Sequence, residues 1–260
     1  MKQVLLSFDI EEFDTPLEYG RAISLDEQIS FSADGTGIIL DILLTHQIRA
    51  TFFSTVVFAS HATNIIHRIK HEGHELASHG VFHSDFKTEH LTESKLELEK
   101  ISGSKVVGFR MPRMMHVAKI DVEKAGYFYD SSLNPIYLPG RYSNFFKPRT
   151  LHKQSNLFEL PASATPIIRF PLFWLSFHNL PLSLYKLLCL RVMNHDSYLN
   201  IYFHPWEFGD LKRENFGLPK FVSRNSGQQM VERFTSWIKW MKAKGYSFTT
   251  IHEFIQQQKM

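Results

Sequence analysis

The segment His74–His83, HELASHGVFH, concentrates side chains that could bind a metal. His79 and His83 stand four residues apart, a spacing that in a helical turn puts both imidazoles on one face, close enough to share an ion. A second pair of groups sits at the end of the first apolar run, LLSFDIEEFD. Asp9 and Glu11 are two residues apart, so in an extended strand they point the same way. Glu12 and Asp14 are nearby competitors, although strand alternation turns Glu12 away from Asp9. Two neutral imidazoles, one carboxylate ligand and open positions for water make a hydrolytic metal site, and a second carboxylate beside it would be the base.

Such a site needs distant segments brought to one place, and the pattern of elements predicts how. Gln3–Phe8, Ala50–Phe53, Glu75–Ser78, Val106–Phe109, Tyr127–Tyr129, Leu157–Leu160, Tyr198–Phe203 and Tyr246–Ile251 read as short, mostly apolar strands. Between them, helical spacing is expected over Thr36–His46 behind Asp34 as N-cap, over Ala62–Lys70, from Thr92 to Ile101 and over Ile120–Ala125, which stops at Gly126. The clearest helix repeats Met230, Val231, Phe234, Trp237, Ile238 and Met241 at three- and four-residue steps and ends at Gly245. Strands alternating with helices imply a parallel sheet. Asp9, His79, Arg110, Asp130 and His204 all fall at strand ends, and in a barrel of parallel strands those ends share the face where active sites are built.

The chain has 260 residues, 43% of them hydrophobic, enough for one sizeable core over residues 1–260. The formal net charge of +3 comes with no basic stripe, so nucleic-acid binding is not expected. The single cysteine, Cys189, lies in the apolar run LLCL and reads as a buried hydrophobe; one cysteine excludes an internal disulfide framework and suits a reducing compartment. Neither a signal peptide nor a stretch of about 18 apolar residues is evident, so a cytoplasmic protein is expected. Around 165–190 an apolar insert, PIIRFPLFWLSFHNLPLSLYKLL, is broken by Pro171 and Pro181. It reads as a connection packed on the barrel, or as a lid for a lipid-linked substrate or a peripheral membrane contact.

Seven short signatures occur in one order along nearly the whole chain: SFDIEEFD, ATFF, HELASHGVFH, GFRMPR, GYFYDSS, FELPAS and IYFHPWE. In that order they resemble the polysaccharide deacetylases (carbohydrate esterase family four, NodB-like metal-dependent deacetylases). The resemblance implies a distorted (β/α)7 barrel and the hydrolysis of an N-acetyl group on a carbohydrate. It implies Asp9 as general base, Glu11, His79 and His83 as ligands of one divalent ion, Arg110 as the residue orienting the base, and His204 as general acid. Asp130 is similar to an acidic residue near the substrate pocket. Zn2+ is the first expectation for the ion, with Co2+, Ni2+ or Fe2+ as alternatives.

The chain departs from the family pattern where Glu11 replaces the usual aspartate and where Arg113 follows Pro112 in place of the usual tyrosine. Arg113 would keep a backbone donor for the oxyanion and make the substrate pocket more cationic. Trp206, beside His204, reads either as core or as a platform for a sugar. His71, His74 and His116 read as structural or surface residues. A related C–N hydrolase (an amino-sugar deformylase or an allantoinase-like ureide hydrolase) and a non-catalytic carbohydrate-binding barrel are the alternative expectations. The oligomeric state is open.

Overall fold

A computed structural model describes residues 2–212 and 216–258. Seven parallel strands form the framework, and they are numbered here in chain order: β1 (Gln3–Ile10), β2 (Thr51–Ser54), β3 (Glu75–Ser78), β4 (Gly108–Phe109), β5 (Tyr129–Asp130), β6 (Leu157–Glu159) and β7 (Tyr198–Phe203). The spatial order is β7-β1-β2-β3-β4-β5-β6, with His152–Gln154 added antiparallel to β6 and Ser247–Phe248 pairing the start of β1. The helices packed outside are α1 (Leu25–Thr45), α2 (Thr63–His71), α3 (His90–Ser102), α4 (Lys119–Lys124), α5 (Leu182–Asp196) and α6 (Gln228–Ala243), and α7 (Ile251–Gln257) closes one end. This is the mixed α/β, distorted (β/α)7 arrangement that the sequence predicts.

Strand parity sorts the apolar residues into two layers. Val4, Leu6, Phe8, Ile10, Phe52 and Leu76 face outward into the helices. Leu5, Phe53, Ala77 and Tyr129 face inward, where Ile251, Phe254 and Ile255 of α7 plug the barrel floor. The curl is incomplete between β6 and β7, which share no ladder. Ser163 bridges the gap by donating its N–H to the Asn200 carbonyl at 2.9 Å, while the Asn200 amide donates to the Pro161 carbonyl at 3.0 Å.

Register then sets the rim. Ile10 is level with Ser54, Ser54 with Ser78, Ser78 with Phe109, Phe109 with Asp130 and Asp130 with Glu159, while Phe8 is level with Phe203. The next residues along each strand, Glu11, His79, Arg110 and Ser131, therefore leave the sheet at one height, together with Asp9 and His204.

The helix expected from Thr36 begins eleven residues earlier, at Leu25. Ser24 accepts the Glu27 N–H at 3.3 Å while the Glu27 carboxylate takes the Ser24 N–H at 2.9 Å, a complete capping box that starts the helix in a polar stretch. Asp34 lies inside α1. The apolar stretch around 165–190 packs on the barrel: its second half is α5, which buries Tyr185, Cys189, Val192 and Met193, and its first half supplies a wall of the cavity described below.

Candidate metal and catalytic centre

Glu11, His79 and His83 converge with their ligand atoms all within 4.8 Å of one another, and all three side chains are buried. Glu11 Oε2 lies 3.0 Å from His79 Nε2 and 3.2 Å from His83 Nε2. The opposite ring nitrogens are already engaged. His79 Nδ1 is 2.8 Å from the Arg110 carbonyl, and His83 Nδ1 is 2.8 Å from Asp14 Oδ1, so each Nδ1 carries the proton and each Nε2 presents a lone pair. Two lone pairs and a carboxylate oxygen that finds no hydrogen-bond donor thus face one point. Such a set is repulsive unless a cation lies between, and its donors are those that hold a divalent metal. Burial works against a charged His83, but Glu11 and Asp14 override it and push the imidazole up to about 9. A proton and a metal ion therefore compete for the same position.

The histidine pair reaches this geometry without a helix. Residues 79–83 form an irregular bend after β3, in which Gly80 adopts a φ of 85° and turns the chain back. The rings lie 6.1 Å apart at 21°. A register-locked strand end and a glycine bend replace the helical turn expected from the spacing.

Asp9 points inward by strand parity, beside the metal ligands. Its Oδ1 accepts from Arg110 Nη1 at 2.6 Å. Arg110 is fully buried and also donates to Ser7 Oγ at 2.9 Å, the Ser131 carbonyl at 3.1 Å and Ser131 Oγ at 3.0 Å, with its guanidinium 4.0 Å from the Phe53 ring centroid. Burial alone would raise the Asp9 pKa; the charges of Arg110, His79 and His204 outweigh it and hold the carboxyl below its usual range. A carboxylate that stays ionised beside the candidate metal position results.

On the other side stands His204. Glu207 Oε1 accepts from its Nδ1 at 2.9 Å and from its backbone N–H at 2.6 Å, and Glu207 Oε2 is held by His178 Nε2 at 2.8 Å. Burial opposes the charged imidazole, but the bond to Glu207 and the nearby Glu11 and Asp9 raise its pKa, favouring the protonated form that an acid needs. Asp14, a competitor of Glu11 in the sequence, holds His83 Nδ1 instead, and Glu207 is a partner that the motifs do not mark. The signal for Glu207 was its place three residues after His204, where a carboxylate can reach back to the preceding N–H.

Asp9, Glu11, His79, His83 and His204 line one cavity of about 300 Å3, whose walls include Tyr19, Leu138, Arg141, Tyr142, Phe173, Trp174 and Phe221. Of the expected substrate contacts, Asp130 lies off the cavity and Trp206 lines it. Asp130 follows inward-facing Tyr129 and so points outward, fully buried, where it pairs with Lys119 and bonds the Ser132 hydroxyl; it does not line the cavity. Trp206 presents only an edge, because its faces stack against His204 (4.8 Å, 18°) and Phe13 (5.6 Å, 26°), leaving no face for a sugar ring. Arg113 does line the cavity, with φ 57°, but its guanidinium is paired with Asp14 at 2.9 Å and with Glu18. It adds less free positive charge than the sequence predicts.

The comparisons with known proteins bear on the family and the fold. The sequence profile described as polysaccharide deacetylase matches residues 2–129, and this part of the chain belongs to that family. A curated relative from Geobacillus stearothermophilus, described as an uncharacterized 30.6 kDa protein, is 36% identical over 67 residues; the match covers 26% of this chain and only about a quarter (25%) of the relative. Among solved structures, a family 4 carbohydrate esterase from Bacillus anthracis is similar at a TM-score of 0.53 and 18% identity, over 98% of this chain and 83% of that one. An allantoinase (Puue) is similar at a TM-score of 0.66 and 14% identity, over 96% and 88% of the two chains. At such identities the structural likeness speaks for the fold.

Proposed function

We propose that this protein is a metal-dependent hydrolase that removes an N-acetyl group from a carbohydrate, acting on a glycan precursor, intracellular or lipid-linked. The observation that carries the reading is the meeting, in one cavity, of the Glu11–His79–His83 set with an arginine-held carboxylate and a carboxylate-held histidine. A divalent cation in that set, Zn2+ before Co2+, Ni2+ or Fe2+, would polarise the amide carbonyl and acidify water. Asp9 Oδ2, the oxygen not engaged by Arg110, accepts the proton of the attacking water. Arg110 fixes the direction of that carboxylate and keeps it ionised. The backbone N–H of Arg113 serves the developing oxyanion. Protonated His204 delivers its Nε2 proton to the amine nitrogen as the C–N bond breaks, so that water and amide give acetate and a free amine. The buried, unpaired Cys189 fits a reducing compartment.

Metal content and acetate release decide this reading together. The wild-type protein is expected to hold about one metal ion per chain and to release acetate from N-acetylated sugars. His79→Ala should lose both, and Asp9→Asn should keep the metal while turnover falls by about 10²–10⁴-fold. Bound metal with no acetate released from any acetamide would move the assignment to another C–N bond, and absence of metal binding would remove it.

A further inference from the structure

The two arginines on the cavity wall differ in their surroundings. Arg113 faces Asp14 and Glu18. Arg141 has no carboxylate within 4.0 Å among the described residues; its Nε donates to the Tyr142 hydroxyl at 3.1 Å, and the guanidinium lies 5.6 Å from that ring's centroid. Arg141 is presented by a hairpin in which Tyr137–Leu138 pairs antiparallel with Tyr142–Ser143, turned by Gly140 at φ 75° and closed by the Arg141 N–H on the Leu138 carbonyl at 3.0 Å. That hairpin belongs to a stretch, 133–158, with no aspartate or glutamate and with Arg141, Lys147, Arg149 and Lys153 as its charges. Beside Arg141 the wall is apolar: Leu138, Phe173, Trp174, Leu175 and Phe221.

A guanidinium with no carboxylate partner among the described residues, opening on a half-apolar cavity, offers two-pronged donors to an anion, and phosphate is the anion that its fork matches best alongside carboxylate. Asp9, Glu11 and Glu18 already line the cavity, and Arg113 is occupied by Asp14 and Glu18, so an anionic substrate needs another cation. We propose that Arg141 binds a phosphate carried by the substrate, so that the protein acts on an N-acyl sugar phosphate or phosphodiester whose remaining, less polar part lies along the Leu138–Phe173–Phe221 wall. This specificity rests on the deacetylase reading for its chemistry but is testable by binding alone.

The zinc-loaded protein would be titrated calorimetrically with N-acetylglucosamine and with N-acetylglucosamine 1-phosphate, alongside Arg141→Ala and Arg141→Lys. The phosphate ester is expected to bind at least about tenfold more tightly than the neutral sugar, the size of one charge-assisted contact. Arg141→Ala should erase that preference with metal content, melting temperature and neutral-sugar affinity unchanged, and Arg141→Lys should restore part of it. Equal affinity for the two probes, or a preference that survives Arg141→Ala, overturns the proposal, the latter because the metal or Arg113 would then hold the phosphate. UDP-N-acetylglucosamine and a polyprenyl diphosphate N-acetylglucosamine in detergent micelles assign the source: tighter, Arg141-dependent binding of either supports the proposal. Acetate release from none of the probes, with the Arg141-dependent preference intact, would count against the deacetylase reading and leave the phosphate site standing.

Discussion

Each imidazole of the candidate metal set is steered by a partner on its far nitrogen, and the two partners differ in kind. His79 leans on a backbone carbonyl that no substitution removes, whereas His83 leans on Asp14. Asp14→Ala should therefore weaken metal binding by about 10–100-fold without abolishing it, measured by competition with a chromophoric chelator. Because His83 takes a proton with a pKa raised to about 9, metal binding must expel that proton, and affinity should climb with pH toward that value. On the acid side of the reaction, Glu207 raises the His204 pKa. Glu207→Gln removes that charge, lowers the pKa, and so should move the alkaline limb of the kcat–pH profile to lower pH. An unchanged limb would show that His204 is not the titrating acid.

At the scale of elements, the position of His204 depends on α1. Gly35 in the middle of that helix meets the Pro205 carbonyl so closely that a Cβ would sit 2.1 Å from its oxygen. The contact is backbone against backbone, so no side chain can move aside. Gly35→Val should destabilise the fold by about 1–3 kcal/mol, read by denaturant unfolding, and should displace the 205–208 turn that holds Glu207 under His204. The expected loss of kcat is larger than the loss of metal, because Glu11, His79 and His83 hang on other elements. The same helix shows why its start was misplaced from periodicity. Residues 25–27 are exposed, the next turns bury polar Gln28 and Ser32 beside Ile29, and the Ser24–Glu27 box marks the beginning.

Across the whole molecule, the barrel is closed by a side chain where a ladder is missing. Asn200 sits on β7 and reaches the Pro161 carbonyl beyond β6, beside the Ser163 bridge. Asn200→Ala would leave the buried Pro161 carbonyl oxygen without its donor, at a cost of about 1–3 kcal/mol. Its melting temperature should fall by several degrees while metal content stays at the wild-type level, since Asn200 bonds Pro161, Leu160, Ser131 and Ser163 and none of Glu11, His79 and His83. Among the described residues no helix is long and apolar enough to cross a membrane. The exposed side chains of Phe146, Ile167 and Ile168 belong to loops outside the barrel.

What the sequence determined by itself was the order of strands and the residue types at their ends. Short apolar runs closed by Asp9, His79, Arg110 and His204 are readable because parity and period are local properties of the chain. Register was not readable, and register is what brings Glu11 Oε2 to two Nε2 atoms and turns Asp130 outward to Lys119. Pairing was equally hidden: whether Arg113 or Arg141 keeps a free charge depends on Asp14 and Glu18, which lie about a hundred residues away in sequence. Trp206 lost its role as a platform for the same reason, since only the folded chain stacks Phe13 against it. Local spacing chose the chemistry, and long-range packing decided which atoms are left free to perform it.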